Sequence, residues 1–339
     1  MRKLQNCLYI TTQGTYIHKE RETILIECNR KKLLQIPVHS ISGLFCFGNV
    51  LLSPAVMGFC GENNIHLAFF TEHGRFLGRL HGVQTGNVLL RRAQYHADEN
   101  KGLNIARVII GAKIQSSRGV LQRFQRNNGK NLKVEEVIKW LNRSLIQAKT
   151  AASLETLRGI EGDAAAKYFS VFGNLVKQEM QDNFFFNGRN RRPPRDPINA
   201  MLSFVYSIVS QNISGALAGV GLDPQVGFLH SDRPGRDSLA QDLLEEFRAW
   251  MCDRLVLSII NRKQVASSDF IIESSGAIRM KDEVKKIILT ELQLRKQETI
   301  NHPFLGEPIE IGLLPHIQAL LLARHLRGDL EYYPPFYVR

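Results

Sequence analysis

The sequence predicts an α+β protein in which a small, β-sandwich-like N-terminal domain with one helix precedes a larger all-α domain. Up to about residue 82 the 339-residue chain is rich in short β-like runs broken by turn residues. Beyond about residue 87, apolar residues recur with helical spacing. The length allows about two domains of roughly 100–200 residues each. An apolar content of 44% is enough for substantial cores.

The N-terminal domain is predicted to span residues 1–82. Strand-like runs lie at residues 8–11, 23–27 and 65–70. Ser53 followed by Pro54 predicts a helix between two strands, because serine caps a helix N-terminus and proline suits the first helical position. A short linker is expected at residues 83–86.

Residues 87–339 are predicted to form the all-α domain. Amphipathic runs lie at residues 103–124, 134–149, 154–176, 197–214, 239–257 and 282–295. The stretch 199–222 carries no charged residue and is long enough for a membrane-spanning helix. Serine, glutamine and asparagine interrupt it, which favours a buried central helix. Since the chain does not start with a basic segment and an apolar core, we expect a cytoplasmic protein rather than a secreted one.

The net charge suits a polyanionic partner. Lysine and arginine number 44 against 32 acidic residues, which gives a net charge of +12. DNA fits this bias, yet RNA, anionic membranes and acidic proteins fit it too. Four arginines lie in a proline-rich stretch that disfavours helix: Arg189, Arg191, Arg192 and Arg195. Such a loop either lays guanidinium groups along phosphates or is a solvated surface connection.

The five cysteines are scattered and form neither a C-x-x-C pair nor the spacing of a zinc site. We therefore expect reduced thiols that are mostly buried. The chain also has no P-loop and no dinucleotide-binding fingerprint, so neither ATP nor NAD dependence is expected.

The stretch GFLHSDRPGRDSLAQDLLEEFR, residues 227–248, has the outline of a metal site. Ser238 and Gln241 have the spacing of a capping box, which predicts the start of a helix. On that helix one face beside the apolar stripe carries three acids: Asp242, Glu245 and Glu246. Like charges at this spacing repel unless a cation lies between them or they point into water. A divalent ion is one explanation, and acids that are solvated or paired with an arginine are the other.

Two further candidate ligands lie outside this helix. His230 precedes it by the length of a loop, although a single histidine is more often a satisfied polar residue. Glu161 lies between Gly159 and Gly162 in LRGIEGDAAAKYF. Because glycine inside a helix costs roughly 1 kcal/mol relative to alanine, the pair predicts close packing around this acid. Ordinary packing with an exposed Glu161 is the alternative, and spacing alone does not bring the acid to the histidine.

Three collinear motifs resemble those of a known family. They are LRGIEGDAAAKYF, RPPRDPINAMLSFVYSI and GFLHSDRPGRDSLAQDLLEEFR. In them the chain is similar to the CRISPR spacer-acquisition integrase, the metal-dependent DNA endonuclease of CRISPR adaptation. The N-terminal stretches NCLYITTQGTYI, FCFGNVLLSPAVMGFCGENNIHLAFF and GRFLGRLHG resemble the strand-rich domain of that family, closest to its subtype I-C branch. The resemblance covers most of the chain.

The resemblance implies roles for the candidate residues. Glu161, His230 and Glu245 match the metal-binding residues, and Asp242 matches a neighbouring carboxylate that is a supporting ligand or a partner for water or substrate. Which of the two helix carboxylates binds the metal directly stays open, because many relatives have aspartate in place of Glu245. The implied metal is Mg²⁺ or Mn²⁺, which would polarise a DNA phosphate for attack by a 3′-OH or by water. The four arginines are then expected to bind DNA.

The resemblance also implies partners. The family forms homodimers, and two dimers flank a dimer of a small ferredoxin-like CRISPR-associated subunit in a heterohexamer. Its substrates are double-stranded protospacer DNA and the repeat array, and the N-terminal domain would supply dimer and partner contacts. A repair nuclease for branched DNA and a non-catalytic nucleic-acid-binding adaptor are the alternatives. The C-terminal stretch LRGDLEYYPPFYVR is expected to be a loosely packed terminus.

Overall fold

The N-terminal part of the chain folds into two four-stranded sheets and one helix. This architecture comes from a computed structural model that describes residues 6–63, 65–72, 74–80 and 88–338. The elements are β1 (Asn6–Ile10), β2 (Thr15–Glu20), β3 (Thr23–Cys28), β4 (Lys31–Pro37), β5 (Ile41–Phe47), β6 (Val50–Leu52), α1 (Pro54–Glu62), β7 (His66–Phe70) and β8 (Phe76–Leu80). The three strand-like runs correspond to β1, β3 and β7, and the β-rich N-terminal region is confirmed.

The two sheets share a core of their own. The first has the order β1-β5-β7-β8, and the second has the order β4-β3-β2-β6. In the first sheet β1, β5 and β7 are parallel, while β8 is antiparallel to β7. Ile17 of the second sheet and Leu44 of the first are buried together with Val56 of α1. Ser53 Oγ accepts a hydrogen bond from Val56 N at 3.3 Å, so the predicted capped helix is confirmed.

The first sheet contacts the helical part of the chain through its other face. Phe45 and Phe47 of β5 alternate with residues that face the small core, and they belong to the main core instead. The ring of Phe47 lies 6.0 Å, centroid to centroid, from that of Phe204. The linker expected at residues 83–86 lies outside the described residues, so the boundary at residue 82 stays a prediction.

Helices around a buried central helix make up most of the remainder. They are α2 (Val88–Tyr95), α3 (Glu99–Asn128), α4 (Leu132–Thr150), α5 (Leu154–Ser170), α6 (Gln178–Gln181), α7 (Pro197–Val220), α8 (Ser238–Phe247), α9 (Arg254–Asn261), α10 (Asp282–Gln297) and α11 (Leu314–Arg327). Helix α7 contains most of the uncharged stretch and packs against α8 and α11. Ile208 and Ile213 of α7 are fully buried. Within the described ranges, no helix is both long and apolar enough to cross a membrane.

The expectation of an all-α second domain is wrong. Two antiparallel pairs of three-residue strands lie among the helices: β9 (Phe270–Ile272) with β10 (Ile278–Met280), and β11 (Thr299–Asn301) with β12 (Pro308–Glu310). Strands this short do not repeat an alternating pattern often enough to be recognised in the sequence. The five cysteines are free thiols, as expected, and Cys46, Cys60 and Cys252 are buried.

The helix expected at residues 239–257 is also not continuous. Helices α8 and α9 are separated by a π-helical segment, Arg248–Asp253. The predicted capping box is wrong, because both side chains are used elsewhere. Ser238 Oγ donates to the carbonyl of Ser231 at 3.1 Å, and Gln241 Nε2 donates to Ser210 Oγ at 2.7 Å. These bonds tie the start of α8 to the preceding loop and to α7.

Candidate active site

Two of the predicted metal-binding acids meet around a lysine. Glu161 on α5 and Glu245 on α8 both contact the ammonium group of Lys113 on α3. Lys113 Nζ bonds Oε1 of Glu161 and lies 2.7 Å from Oε2 of Glu245, a charge contact without hydrogen-bond alignment. The fold therefore brings together acids that lie far apart in the sequence, and a cation already lies between them.

Glu245 is ionised although it is buried. Its side chain is 3% exposed, and Arg248 Nη1 lies 3.1 Å from its Oε1. Burial alone would raise the pKa of Glu245, but the positive charges of Arg248 and Lys113 outweigh burial and hold that pKa at about 2. The expectation that this acid could be solvated is wrong, whereas its pairing with an arginine is confirmed. The carboxylate is available as a permanent negative charge.

Asp242 organises the loop that carries His230. One oxygen, Oδ2, accepts hydrogen bonds from the backbone N–H of Phe228 at 2.6 Å and of Leu229 at 3.0 Å. The other, Oδ1, accepts from His230 N at 3.0 Å and lies 2.7 Å from Nδ1 of its ring. Gly227 permits this wrapping, because a Cβ there would lie 2.8 Å from Oδ2. Asp242 therefore fixes the orientation of the imidazole through Nδ1. The other ring nitrogen, Nε2, does not contact Asp242.

Helix α5 holds the same loop from the other side. Arg158, one turn before Glu161, donates from Nε to the carbonyl of Leu229 at 2.9 Å. That carbonyl belongs to the residue directly before His230. The histidine loop is thus held between α5 and α8, the helices that carry Glu161 and Glu245.

These donors suit a hard divalent cation. No three His, Cys, Asp or Glu side chains among the described residues are close enough together to hold an ion as they stand. The ammonium group of Lys113 lies between the two carboxylates, where it stands in for a cation. Carboxylate oxygens with one imidazole nitrogen are a donor set for Mg²⁺ or Mn²⁺, and a carboxylate on Nδ1 orients such an imidazole. The residues present therefore fit the metal.

The two glycines beside Glu161 do not pack closely against another element. A Cβ placed on Gly159 or on Gly162 would meet nothing within 4 Å, and both residues are exposed. The expectation of close packing around this acid is therefore wrong. They leave the surface of α5 next to Glu161 bare of side chains, which is room for a ligand to approach.

Glu246, the third acid of α8, binds the C-terminal stretch. Its carboxyl accepts hydrogen bonds from Tyr333 Oη at 2.7 Å, Phe336 N at 2.8 Å and Gln318 Nε2 at 2.9 Å. Burial raises the pKa of Glu246 to about 8, even though these bonds oppose the rise. Tyr333 and Phe336 are 1% and 0% exposed, so the expectation of a loosely packed terminus is wrong.

Another buried carboxyl lies at the end of the π-helical segment. Asp253 accepts hydrogen bonds from Tyr168 Oη at 3.0 Å and from Tyr206 Oη at 2.5 Å. Arg189 and Arg248 lie over the ring of Tyr206, with Cζ 5.3 Å and 5.1 Å from its centroid. Sequence reasoning misses this network, because its members come from four separate segments and share no spacing.

The four predicted DNA-binding arginines divide into two groups. Arg189 is half-buried and donates to Asn199 Oδ1 at 2.7 Å and to Ser203 Oγ at 3.1 Å, so it is held against α7. The other three side chains are exposed: Arg191, Arg192 and Arg195. Only this second group faces solvent.

Two further arginines, Arg233 and Arg236, extend the exposed group towards the histidine loop. Burial lowers the pKa of Arg236, and the charges of Arg233, Arg191 and Arg192 lower it further. Arg236 is therefore close enough to each of these three arginines to be repelled by their charges. Sequence reasoning does not single out Arg233 and Arg236, although both lie in the motif between His230 and α8.

Comparison with known proteins identifies the family. The sequence model of the family "CRISPR associated protein Cas1" matches residues 8–294. The chain is 47% identical to CRISPR-associated endonuclease Cas1 1 of Chlorobaculum tepidum, with 99% of each chain covered. It is 44% identical to CRISPR-associated endonuclease Cas1 2 of Rhodospirillum rubrum, again over 99% of each chain.

Solved structures agree with this result. A casposase bound to integration product matches with a TM-score of 0.83 at 26% identity, over 96% of this chain and 92% of that chain. The fold is shared with a CAS1 protein from Thermotoga maritima, with a TM-score of 0.81 at 24% identity over 98% and 100% of the two chains. It is also shared with a Cas6-RT-Cas1–Cas2 complex, with a TM-score of 0.82 at 21% identity over 100% of this chain and 36% of that one. The chain belongs to the Cas1 family of CRISPR-associated endonucleases.

Proposed function

We propose that this protein is a divalent-metal-dependent DNA endonuclease and integrase of CRISPR adaptation. It joins the 3′-OH ends of a protospacer to the repeat array by transesterification, and it cleaves DNA when water takes the place of the 3′-OH. One observation carries the proposal: Glu161 and Glu245 share a cation beside a loop in which Asp242 fixes His230. Family membership and the likeness to a casposase bound to integration product support it.

Glu161, His230 and Glu245 are the residues that would hold Mg²⁺ or Mn²⁺. Such an ion would polarise the scissile phosphate and activate the attacking hydroxyl. The hydrogen bonds of Asp242 favour Glu245 as the direct ligand, because both oxygens of Asp242 are used by the histidine loop. Asp242 is then a positioning residue that sets the orientation of the imidazole.

The other charged groups orient DNA. In the joining reaction the 3′-oxygen forms a new P–O bond as one P–O bond of the target strand breaks, so no external energy source is needed. Arg191 and Arg192 are exposed and close to Arg236 of the segment between His230 and α8, and these three would bind phosphates of the reacting strands together with Arg233 and the exposed Arg195. Arg189 belongs to the same DNA-binding surface. Its guanidinium group is held by α7, so it supports the exposed arginines.

Family membership also supports the proposed partners. We propose a homodimer that assembles with a small ferredoxin-like CRISPR-associated subunit into a heterohexamer on double-stranded DNA. We also propose that the protein belongs to the subtype I-C branch of the family and acts in the cytoplasm. The N-terminal domain, with its two sheets, would supply the dimer and partner contacts.

The test compares wild type with His230→Ala. Each protein, with its small partner subunit, is incubated with a DNA fragment carrying a 3′-OH and a supercoiled repeat plasmid, with and without Mn²⁺. We expect joining and cleavage that require Mn²⁺ and His230, while DNA binding stays nearly unchanged. His96→Ala is the matched control, since His96 is an exposed residue of the same type.

Retained joining by His230→Ala would contradict the site assignment. Cleavage of branched DNA without joining would indicate a repair nuclease, and metal-independent binding without any reaction would indicate an adaptor.

A further inference from the structure

A concave site apart from the carboxylates is lined mainly by residues of α3, α9 and α10. Its volume is about 750 Å³. Two acids line it, Glu291 and Glu298. Five basic side chains line it as well: Arg123, Lys177, Arg254, Arg262 and Arg295. The pocket therefore has an excess of positive charge and lies outside the predicted metal site and the proline-rich arginine loop.

Both acids are already paired with arginines on the pocket wall. Glu291 lies 3.5 Å from Arg262, and Glu298 lies 3.5 Å from Arg295. Arg123 and Arg254 make no hydrogen bond or ion pair within the described parts of the chain. Two guanidinium groups thus face the pocket without a bonded anion.

The arginines repel one another. Burial lowers the pKa of Arg254 to about 10, and the charges of Arg295 and Arg123 contribute to the lowering, which the charge of Glu298 only partly opposes. Like charges clustered around a partly buried guanidinium group are unfavourable unless an anion lies between them. Guanidinium groups bind phosphate through paired N–H donors, so a cluster of them in a concave site suits a phosphate ligand.

Two segments of the chain lead from the carboxylate site to this pocket: helix α3, and the run from α8 through the π-helical segment to α9. Arg123 follows Lys113 by ten residues on α3, which corresponds to about 15 Å at 1.5 Å per residue. Arg254 follows Glu245 by nine residues along α8, the π-helical segment and α9. Phosphates of one strand of B-form DNA are about 3.4 Å apart along the axis, so 15 Å corresponds to about four nucleotides.

We propose that this basic pocket binds the phosphate backbone of a DNA strand about four nucleotides from the reacting phosphate. The inference rests on the proposed function, since it takes the carboxylate site as the place of reaction. Arg123 and Arg254 are the residues that contact phosphate. The strand is either the incoming fragment or the repeat DNA, which present the same phosphate chemistry.

The first experiment measures how salt affects DNA binding. Arg123→Gln, Arg254→Gln and the double variant are compared with wild type in EDTA, so that no reaction occurs. Each phosphate contact contributes about 0.9 to the slope of log affinity against log salt, which is roughly an eightfold change in affinity for a tenfold change in salt. We expect each single variant to lose about one contact and the double variant about two.

Two control variants show whether a change in slope comes from the pocket, from the general loss of one positive charge or from poor folding. Arg126→Gln removes the same charge from an exposed position of α3 that does not line the pocket, and should leave the slope unchanged. Arg254→Lys keeps the charge and should keep the slope. Since Arg123 is exposed, its substitution tests the pocket even if Arg254→Gln is poorly folded.

The second experiment locates the phosphate and identifies the strand. Neutral methylphosphonate linkages are placed three to five nucleotides from the reacting end of the fragment, or equally far from the insertion point in the repeat DNA. In only one of the two DNAs, the neutral linkages should weaken binding by wild type. In that DNA they should not weaken binding by the double variant any further. That DNA is then the one held by the pocket.

The proposal would be overturned if the neutral linkages weakened binding by wild type and by the double variant equally, at every position in both DNAs. It would also be overturned if the salt-dependence slopes of the pocket variants equalled that of Arg126→Gln. These outcomes are independent of the metal reaction. Absence of joining with a normal arginine effect would contradict the proposed function alone, whereas normal joining without an arginine effect would contradict the pocket alone.

Discussion

Lys113 Nζ lies 2.7 Å from Oε2 of Glu245, and the same ammonium group bonds Glu161. One cation therefore links α3, α5 and α8 at the site. A divalent ion held by the two carboxylates would compete with the lysine for the same oxygens. The lysine holds the two acids together, and it would have to move if a divalent ion took its place.

Lys113→Met is expected to destabilise the metal-free protein by about 3 kcal/mol, because it leaves a buried carboxylate with one cationic partner fewer. Mn²⁺ should then stabilise the variant more than it stabilises wild type. Thermal unfolding in EDTA and in Mn²⁺ measures both effects. Lys139→Met is the control, since Lys139 pairs with Glu135 on the exposed surface of α4. A loss of stability that Mn²⁺ does not relieve would contradict a shared cation site.

Asp242→Asn is expected to cost about 1–3 kcal/mol, although it changes few atoms. The amide nitrogen would replace one of two oxygens that accept backbone hydrogen bonds from the histidine loop, and would face an N–H donor. Displacement of His230 should also abolish joining. Urea unfolding and the joining assay measure the two effects. The same change at Asp232, an exposed residue of the loop, should have little effect on either.

Gly159→Ala is expected to stabilise the protein by about 1 kcal/mol. The new methyl group meets nothing within 4 Å, and alanine is a better helix former than glycine. Gly227→Ala should have the opposite effect, because its Cβ would lie 2.8 Å from Asp242 Oδ2 and 2.9 Å from Ser238 Cβ. Thermal unfolding of the two variants distinguishes an open glycine from a tightly packed one. Destabilisation by Gly159→Ala would restore the close-packing interpretation.

The sequence predicts which helix carries the acids and the pairing of Glu245 with a nearby arginine, but not the contacts that the acids make with distant parts of the chain. A period of 3.6 residues places Asp242, Glu245 and Glu246 side by side, yet their partners are a histidine loop, a lysine on α3 and the C-terminal stretch. Phe336, for example, is 90 residues from Glu246. Contacts of this range depend on tertiary packing, which residue spacing does not encode. Family resemblance selects Glu161 and His230, whereas Lys113 has neither a motif nor a spacing to single it out.

Asp253 is expected to make stability depend on pH. Burial raises the pKa of its carboxyl to about 6, from an ordinary value of 3.8, and hydrogen bonds from Tyr168 and Tyr206 only partly oppose the rise. The folded state therefore binds the proton more tightly than the unfolded state. The stabilisation of the folded state by the protonated Asp253 is complete below about pH 4 and is lost as pH rises through 6. At about 1.36 kcal/mol for each pH unit, the loss is about 3 kcal/mol.

Asp253→Asn removes this titration while it keeps the size of the side chain. The free energy of unfolding of the variant, relative to wild type, should therefore rise by about 3 kcal/mol between pH 4 and pH 7. Urea unfolding at four pH values in this range measures the difference. The same substitution at the exposed Asp182 provides the background from the loss of one surface charge. A difference that stays constant would mean that Asp253 is ionised throughout, with Arg189 and Arg248 compensating its charge across the Tyr206 ring.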